Sequence, residues 1–151
     1  MTIVPEKRQE LTTEGGLDVV KQKDMLKAYI KPLLDAGIIV SLFIDPDLEQ
    51  VKASYQTGAQ FIELHTGQYA EAFSTPEEDK AFEELKTASK YSNELGLKVN
   101  AGHGLNYQNV KRILTIPQMV ELNIGHSIVS RAVFTGLKQA VIDMKALLDS
   151  V

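Results

Sequence analysis

The chain predicts an α/β fold in which parallel strands alternate with helices, and three features carry that expectation. Residues 38–45 (IIVSLFID) form a continuous apolar, β-branched run of the kind buried on both faces of a parallel sheet. Helical and extended patterns alternate from end to end, with no linker or low-complexity tract to mark a domain boundary. All three histidines fall at the ends of predicted strands: His65 in Phe61-Ile62-Glu63-Leu64-His65-Thr66-Gly67, His103 in Asn100-Ala101-Gly102-His103-Gly104, and His126 in Asn123-Ile124-Gly125-His126. Ligands of parallel α/β folds bind at the carboxyl ends of strands, so these turns read as site-building.

The elements follow in order. Residues 2–4 are extended, and the polar stretch 6–16 is a loop rich in turn formers. A helix over 18–36 packs Met25, Tyr29, Leu33 and Leu34 on one face, and Pro32 should disturb it. After the strand at 38–45, Asp45 caps a helix with Pro46 at its first position. Leu48, Val51 and Tyr55 form that helix's apolar face, and Gly58 lies beyond its last turn. Phe61–His65 is the next strand. Thr75-Pro76-Glu77-Glu78 is a capping box opening a longer helix, with Phe82, Leu85, Ser89 and Leu95 near helical spacing and Gly96 as its stop. A strand at 97–101 follows. Asn106 caps a short helix holding Val110, Ile113 and Leu114, residues 120–124 make another strand, and a last helical region begins at about Ser127. Five strands and about five helical regions fit either an open doubly wound sheet or a piece of a (β/α)8 barrel, which typically takes about 250 residues and eight strands.

Composition narrows the function classes. With 151 residues, 44% of them hydrophobic, the chain can build one core and reads as a single domain, 1–151. It has no cysteine, which removes disulfides, thiolate nucleophiles and Cys-ligated metals and makes the cytoplasm the expected compartment. A net charge of -4 with dispersed Lys and Arg offers no face to a phosphodiester backbone, so nucleic acid is not an expected partner. No apolar run approaches the roughly 20 residues that cross a bilayer, and the first residues lack signal-peptide anatomy; neither export nor membrane insertion is expected.

Three groups of residues carry chemistry. His103 sits between two glycines, where an imidazole can move protons in either direction or can satisfy a turn carbonyl. Glu63 interrupts an apolar strand and must be ion-paired or neutralised there; a raised pKa would mark it as functional. His65 shares its face by the period of two, and reads as a support for another group or as a turn residue. Gly125-His126-Ser127 precedes an apolar helix and can present backbone N–H groups to a phosphate, or can be a plain strand-to-helix turn. Lys7, Arg8 and Arg131 are not distinguishable from solubilising charges. Three histidines and a glutamate at strand ends could also ligate a divalent metal, but the motifs lack a close His-x-His pair.

The residues also resemble a known family. The long polar string Val4-Pro5-Glu6-Lys7-Arg8-Gln9-Glu10-Leu11-Thr12-Thr13-Glu14-Gly15-Gly16-Leu17-Asp18 resembles the fourth strand and following loop of pyridoxine 5'-phosphate synthases. Val40-Ser41-Leu42-Phe43-Ile44-Asp45 and the three histidine-bearing motifs match the same family in the same order. The resemblance implies a partial (β/α)8 TIM barrel corresponding to strands four to eight. It implies condensation of 1-deoxy-D-xylulose 5-phosphate with 3-amino-2-oxopropyl phosphate to pyridoxine 5'-phosphate, inorganic phosphate and water, without a metal or organic cofactor. His103 would be the proton donor, Glu63 would steady the transition state, and Thr12 would contact the deoxyxylulose phosphate. Gly104, Gly125 and His126 would hold the amino-ketone phosphate. The family's first three strands, which bring a further catalytic His and Glu with Arg and Asn contacts, have no counterpart in these residues. Open strand edges then predict a homo-oligomer, and the alternative to an enzyme is a non-catalytic phosphate-binding or assembly fragment.

Overall fold

The computed structural model describes residues 1–5 and 15–150. Among them, five strands run as β1 (Thr2–Ile3), β2 (Ser41–Ile44), β3 (Phe61–His65), β4 (Lys98–Gly102) and β5 (Met119–Asn123). The helices are α1 (Val19–Asp35), α2 (Leu48–Thr57), α3 (Gly67–Ala72), α4 (Glu78–Glu94), α5 (Val110–Ile113), α6 (His126–Thr135) and α7 (Leu137–Leu148). Every strand pair is parallel and the sheet order is β1-β2-β3-β4-β5. A doubly wound sheet reverses its order at a switch point; among the described residues this one does not, an order consistent with part of a barrel wall. No helix among the described residues is long and apolar enough to cross a membrane.

Strand pleating divides the sheet into two unlike faces. In register, Leu42, Ile62 and Val99 form one row and Ile44, Leu64 and Ala101 the next, all fully buried. The Leu42 and Ile44 rows join the apolar core with Ile30 of α1, Val51 of α2 and Leu85 of α4, and each such side chain contributes about 1.5–3 kcal/mol by leaving water. The opposite face is polar: Phe43, Glu63, Asn100 and Glu121 make one row, and His65, Gly102 and Asn123 the row nearest the carboxyl ends. The run at 38–45 thus supplies a strand buried on both faces as expected, over Ser41–Ile44, with Leu42 and Ile44 on the apolar side and Ser41 and Phe43 on the other.

A bulge sets part of that polar face. Val99 pairs with Met119 but Asn100 pairs with Glu121, so Val120 is an extra residue opposite the step between them. Inserting one residue flips every later side chain to the other face. Glu121 and Asn123 consequently point to the side of Glu63, and Val120 is left 59% exposed.

Several local expectations are corrected. Ile38 and Ile39 lie outside β2 and are exposed, because α1 ends in a Schellman motif: Gly37 adopts φ 74°, Gly37 N–H donates to Leu34 O, and Ile38 N–H donates to Leu33 O. Gly96 and Leu97 end α4 the same way, with Leu97 N–H on Ser92 O. Pro32 stays inside α1, since it falls in the last turn and its carbonyl still accepts from Ala36 N–H. The buried stripe of α1 is Val19, Leu26 and Ile30 rather than Met25 and Tyr29, which are over half exposed. Each lies one residue, or 100° of rotation, from the buried one, and docking against α2 and the sheet chooses between them.

Asp47, not Asp45, caps α2, accepting from Glu49 N–H and Gln50 N–H; Leu48 and Tyr55 remain largely exposed while Val51 is buried. At α4 the capping interactions are displaced by one residue, because the Glu78 carboxylate accepts from Ser74 N–H. The short α3 is additional. Gly136, at φ 80° and ψ 149°, breaks the last helical region into α6 and α7.

Candidate functional site

The polar carboxyl-end face opens into a cavity of about 560 Å³. Glu63, His103, Gly104, Gly125 and His126 all line it, so residues up to 63 positions apart in sequence meet in one place. Val4, Phe43 and Asn123 complete much of the wall. Thr12 lies outside the described residues.

Glu63 projects from the centre of β3 and is 7% exposed. Among the described residues it forms no salt bridge with Lys or Arg. Burial pushes its pKa up and the nearby Glu121 charge adds to that, against the opposing Asn123 hydrogen bond and His65 charge. Space for the carboxylate comes from Gly102 on the neighbouring strand: a Cβ there would stand 2.5 Å from Glu63 Oε1 and 3.0 Å from both Asn123 Cβ and Asn123 O. Gly102→Ala is therefore expected to leave the fold intact, at a cost of about 1–3 kcal/mol for overpacking, and to displace the Glu63 carboxylate. Denaturant midpoints and the Glu63 side-chain NMR signals measure the two effects; an unmoved carboxylate would contradict the packing argument.

His103 lies just beyond β4 at φ 82°, with Gly104 following at φ 78°. A left-handed non-glycine residue costs on the order of 1–3 kcal/mol and persists where its surroundings hold it. Thr66 supplies that hold. Its N–H donates to Gly102 O at 2.9 Å, and its hydroxyl proton is shared between Gly102 O at 2.7 Å and His103 O at 2.5 Å. Asn109 Nδ2 donates to Gly104 O at 3.2 Å. The turn carbonyls are thus satisfied by Thr66 and Asn109, and the His103 ring makes no hydrogen bond among the described residues. Burial lowers the His103 pKa, the His65 charge lowers it further, and Glu71 opposes both.

His65 is buried beneath this turn, its Nδ1 3.0 Å from Asp45 Oδ1. Its ring packs on Phe43 at 5.1 Å and on His103 at 4.9 Å between centroids. Asp45 and Thr66 are the participants that sequence reasoning missed. Asp45 directly follows β2 as His65 ends β3, and that matching position is the available signal, hidden by reading Asp45 as a helix cap.

On the far wall, α6 begins at His126 with Gly125 as its N-cap and no side-chain cap. Ser127, the next residue, donates its hydroxyl to Leu105 O at 2.9 Å and does not occupy the helix end. With no side-chain cap among the described residues, the first-turn N–H groups and the helix dipole make this end of a ten-residue helix suited to an anion.

The chain is similar to proteins of one kind. The family model described as pyridoxal phosphate biosynthesis protein PdxJ matches residues 1–150. A pyridoxine 5'-phosphate synthase of a Sulfurihydrogenibium species is 59% identical over 148 residues, covering 98% of this chain and 60% of the relative. Another, of Photobacterium profundum, is 57% identical over 143 residues, covering 95% of this chain and 59% of the relative. The chain thus spans about 60% of the length of these curated relatives. The crystal structure of the Amycolatopsis orientalis BexX/CysO complex superposes with a TM-score of 0.52 at 18% identity, over 89% of this chain and 51% of that one, a likeness of fold.

Proposed function

The chain belongs to the pyridoxal phosphate biosynthesis protein PdxJ family, and on that premise we propose that it carries the later part of a pyridoxine 5'-phosphate synthase site, on strands four to eight of a (β/α)8 barrel. The observation that supports this reading most is the convergence of Glu63, His103, Gly104, Gly125 and His126 on one cavity at the carboxyl ends of the strands. The reaction is the condensation of 1-deoxy-D-xylulose 5-phosphate with 3-amino-2-oxopropyl phosphate, releasing inorganic phosphate and water as the pyridine ring closes.

Ring closure of this kind joins an amine to a ketone, expels hydroxyl groups as water and passes through charged intermediates. His103 is the proton donor to a departing hydroxyl: its ring is free of the turn carbonyls, and its lowered pKa makes it the stronger acid. Glu63, with no cation paired to it among the described residues, steadies positive charge as the imine forms. Gly104, Gly125 and His126 anchor the amino-ketone phosphate, the α6 N-terminus providing backbone donors. Thr12 contacts the deoxyxylulose phosphate. The remaining acid and base come from the family's first three strands, and the working protein is a homo-oligomer of the cytoplasm.

Phosphate anchoring by α6 does not depend on catalysis, so it can be tested on the chain by itself. Titration with inorganic phosphate is expected to shift the amide signals of Gly104, Gly125 and His126 along one saturable curve. Shifts confined to other residues would remove the anchor from the assignment.

A further inference from the structure

We propose that Asp45 and His65 form a positioning pair for His103: the carboxylate fixes the His65 proton on Nδ1, and the His65 ring sets the orientation of the His103 imidazole and its readiness to release a proton. The proposal rests on the reading of His103 as the proton donor. Asp45 Oδ1 accepts from Gly16 N–H at 3.0 Å and faces His65 Nδ1 at 3.0 Å. The His65 hydrogen bond, joined by that of Gly16, holds the Asp45 carboxyl below its ordinary pKa despite burial, so it is ionised near neutrality. An ionised carboxylate only accepts, and Nδ1 must therefore carry the hydrogen.

The other end of the ring is as informative. Among the described residues, His65 Nε2 is buried and has no hydrogen-bond partner. A Cβ on Gly67 would lie 2.6 Å from Nε2 and 3.4 Å from His103 Cδ2, so the absence of a side chain at 67 lets both rings occupy the same space. Phe43 closes the opposite side of His65. The two imidazoles pack 4.9 Å apart, close enough for a positive charge on one to disfavour a positive charge on the other. Burial, and then the adjoining His65 ring, make His103 the stronger acid. Among the described residues, the other ionisable groups facing His103 are Glu63 of β3 and His126 of α6, which line the same cavity, and Glu71 of α3, whose charge acts in the opposite direction.

Long-range 1H–15N NMR of the imidazoles during a pH titration of the chain tests this without turnover. In the wild type, His65 Nδ1 is expected to show the signal of a protonated nitrogen at every pH. His65→Phe keeps a flat ring between Phe43 and His103 but removes the charge, and the His103 midpoint should rise. In a barrel completed with the family's first three strands, the alkaline limb of kcat/KM should move up with it. If His65→Phe does not fold, Asp45→Asn can meet Nδ1 with either an oxygen or an NH2 group, and the His65 proton should no longer be confined to Nδ1. A neutral His65 protonated on Nε2, a His103 midpoint unmoved in folded His65→Phe, or a His65 proton still confined to Nδ1 in folded Asp45→Asn would each overturn the proposal. A raised His103 midpoint in His65→Phe, beside a His103→Ala variant with full turnover, would support the coupling and discard only the proton-donor reading.

Discussion

In the completed barrel, His103→Ala and Glu63→Gln are each expected to lower kcat by about 10²- to 10⁴-fold, the range a positioned acid or base contributes, with a much smaller change in substrate affinity. The two effects separate because the two jobs sit on different walls. On the proposed reading, proton transfer and charge stabilisation come from the β3 and β4 side of the cavity and the phosphate anchor from the N-terminus of α6, and these residues stand on different parts of its lining. Removing a group used only in the transition state raises the barrier without deleting ground-state binding. Steady-state kinetics with both substrates, read beside phosphate affinity, measures the split. Near-normal turnover in either variant removes that residue from the mechanism.

Glu63→Gln should at the same time stabilise the fold near neutral pH. Burial, and then the Glu121 charge, raise the folded-state pKa of Glu63 above its unfolded value. The group's favourable contribution is therefore complete below the unfolded pKa and is lost as pH rises through the folded one. Glutamine carries no such penalty at neutral pH. Thermal unfolding at acidic and neutral pH should show the variant's advantage growing with pH; a variant less stable than wild type at neutrality would contradict the burial argument.

The second large effect concerns the chain by itself, which is expected to make no measurable pyridoxine 5'-phosphate and to self-associate. On the proposed reading His103 and Glu63 supply only half of the acid-base set. Among the described residues, β1 at one end of the sheet order pairs only with β2 and β5 at the other only with β4, so each leaves a row of backbone donors and acceptors open there. The apolar surface points the same way: Val129 of α6 is 63% exposed, Val133 77% and Phe134 89%, with Leu137 of α7 at 61%. Such a patch marks an interaction surface. Light scattering should report a dimer or larger assembly, and adding a polypeptide carrying the family's first three strands should restore turnover. A monomer that turns over unaided would sink both halves, and would require the missing acid-base roles to be filled by Glu6, Glu10, Glu63 or His65.

The features legible in the sequence are those set within a few residues. Phe61–His65 reads as a strand because its apolar period is two, and the structure has it with those bounds. Gly58 and Gly96 mark helix ends because a left-handed turn there needs no Cβ, and both adopt positive φ. The histidines at strand ends are visible for the same reason, and parallel winding alone then brings His103, Gly125 and His126 to one rim.

Tertiary structure decided what depends on partners far apart along the chain. Met25 and Leu26 are equally apolar, and only docking against α2 and the sheet buries Leu26. Asp45 can cap a helix as well as Asp47 can; it turns toward His65, twenty residues on, because β2 and β3 lie side by side in register. Asn123 faces Glu63 only because Val120 is an extra residue opposite Val99 and Asn100, a two-against-one pairing that no single strand records. Local propensity is a property of one segment, whereas register, face and neighbour are properties of two, and the polar side of this sheet, where Asp45, His65, Glu63 and His103 meet, is built from the second kind.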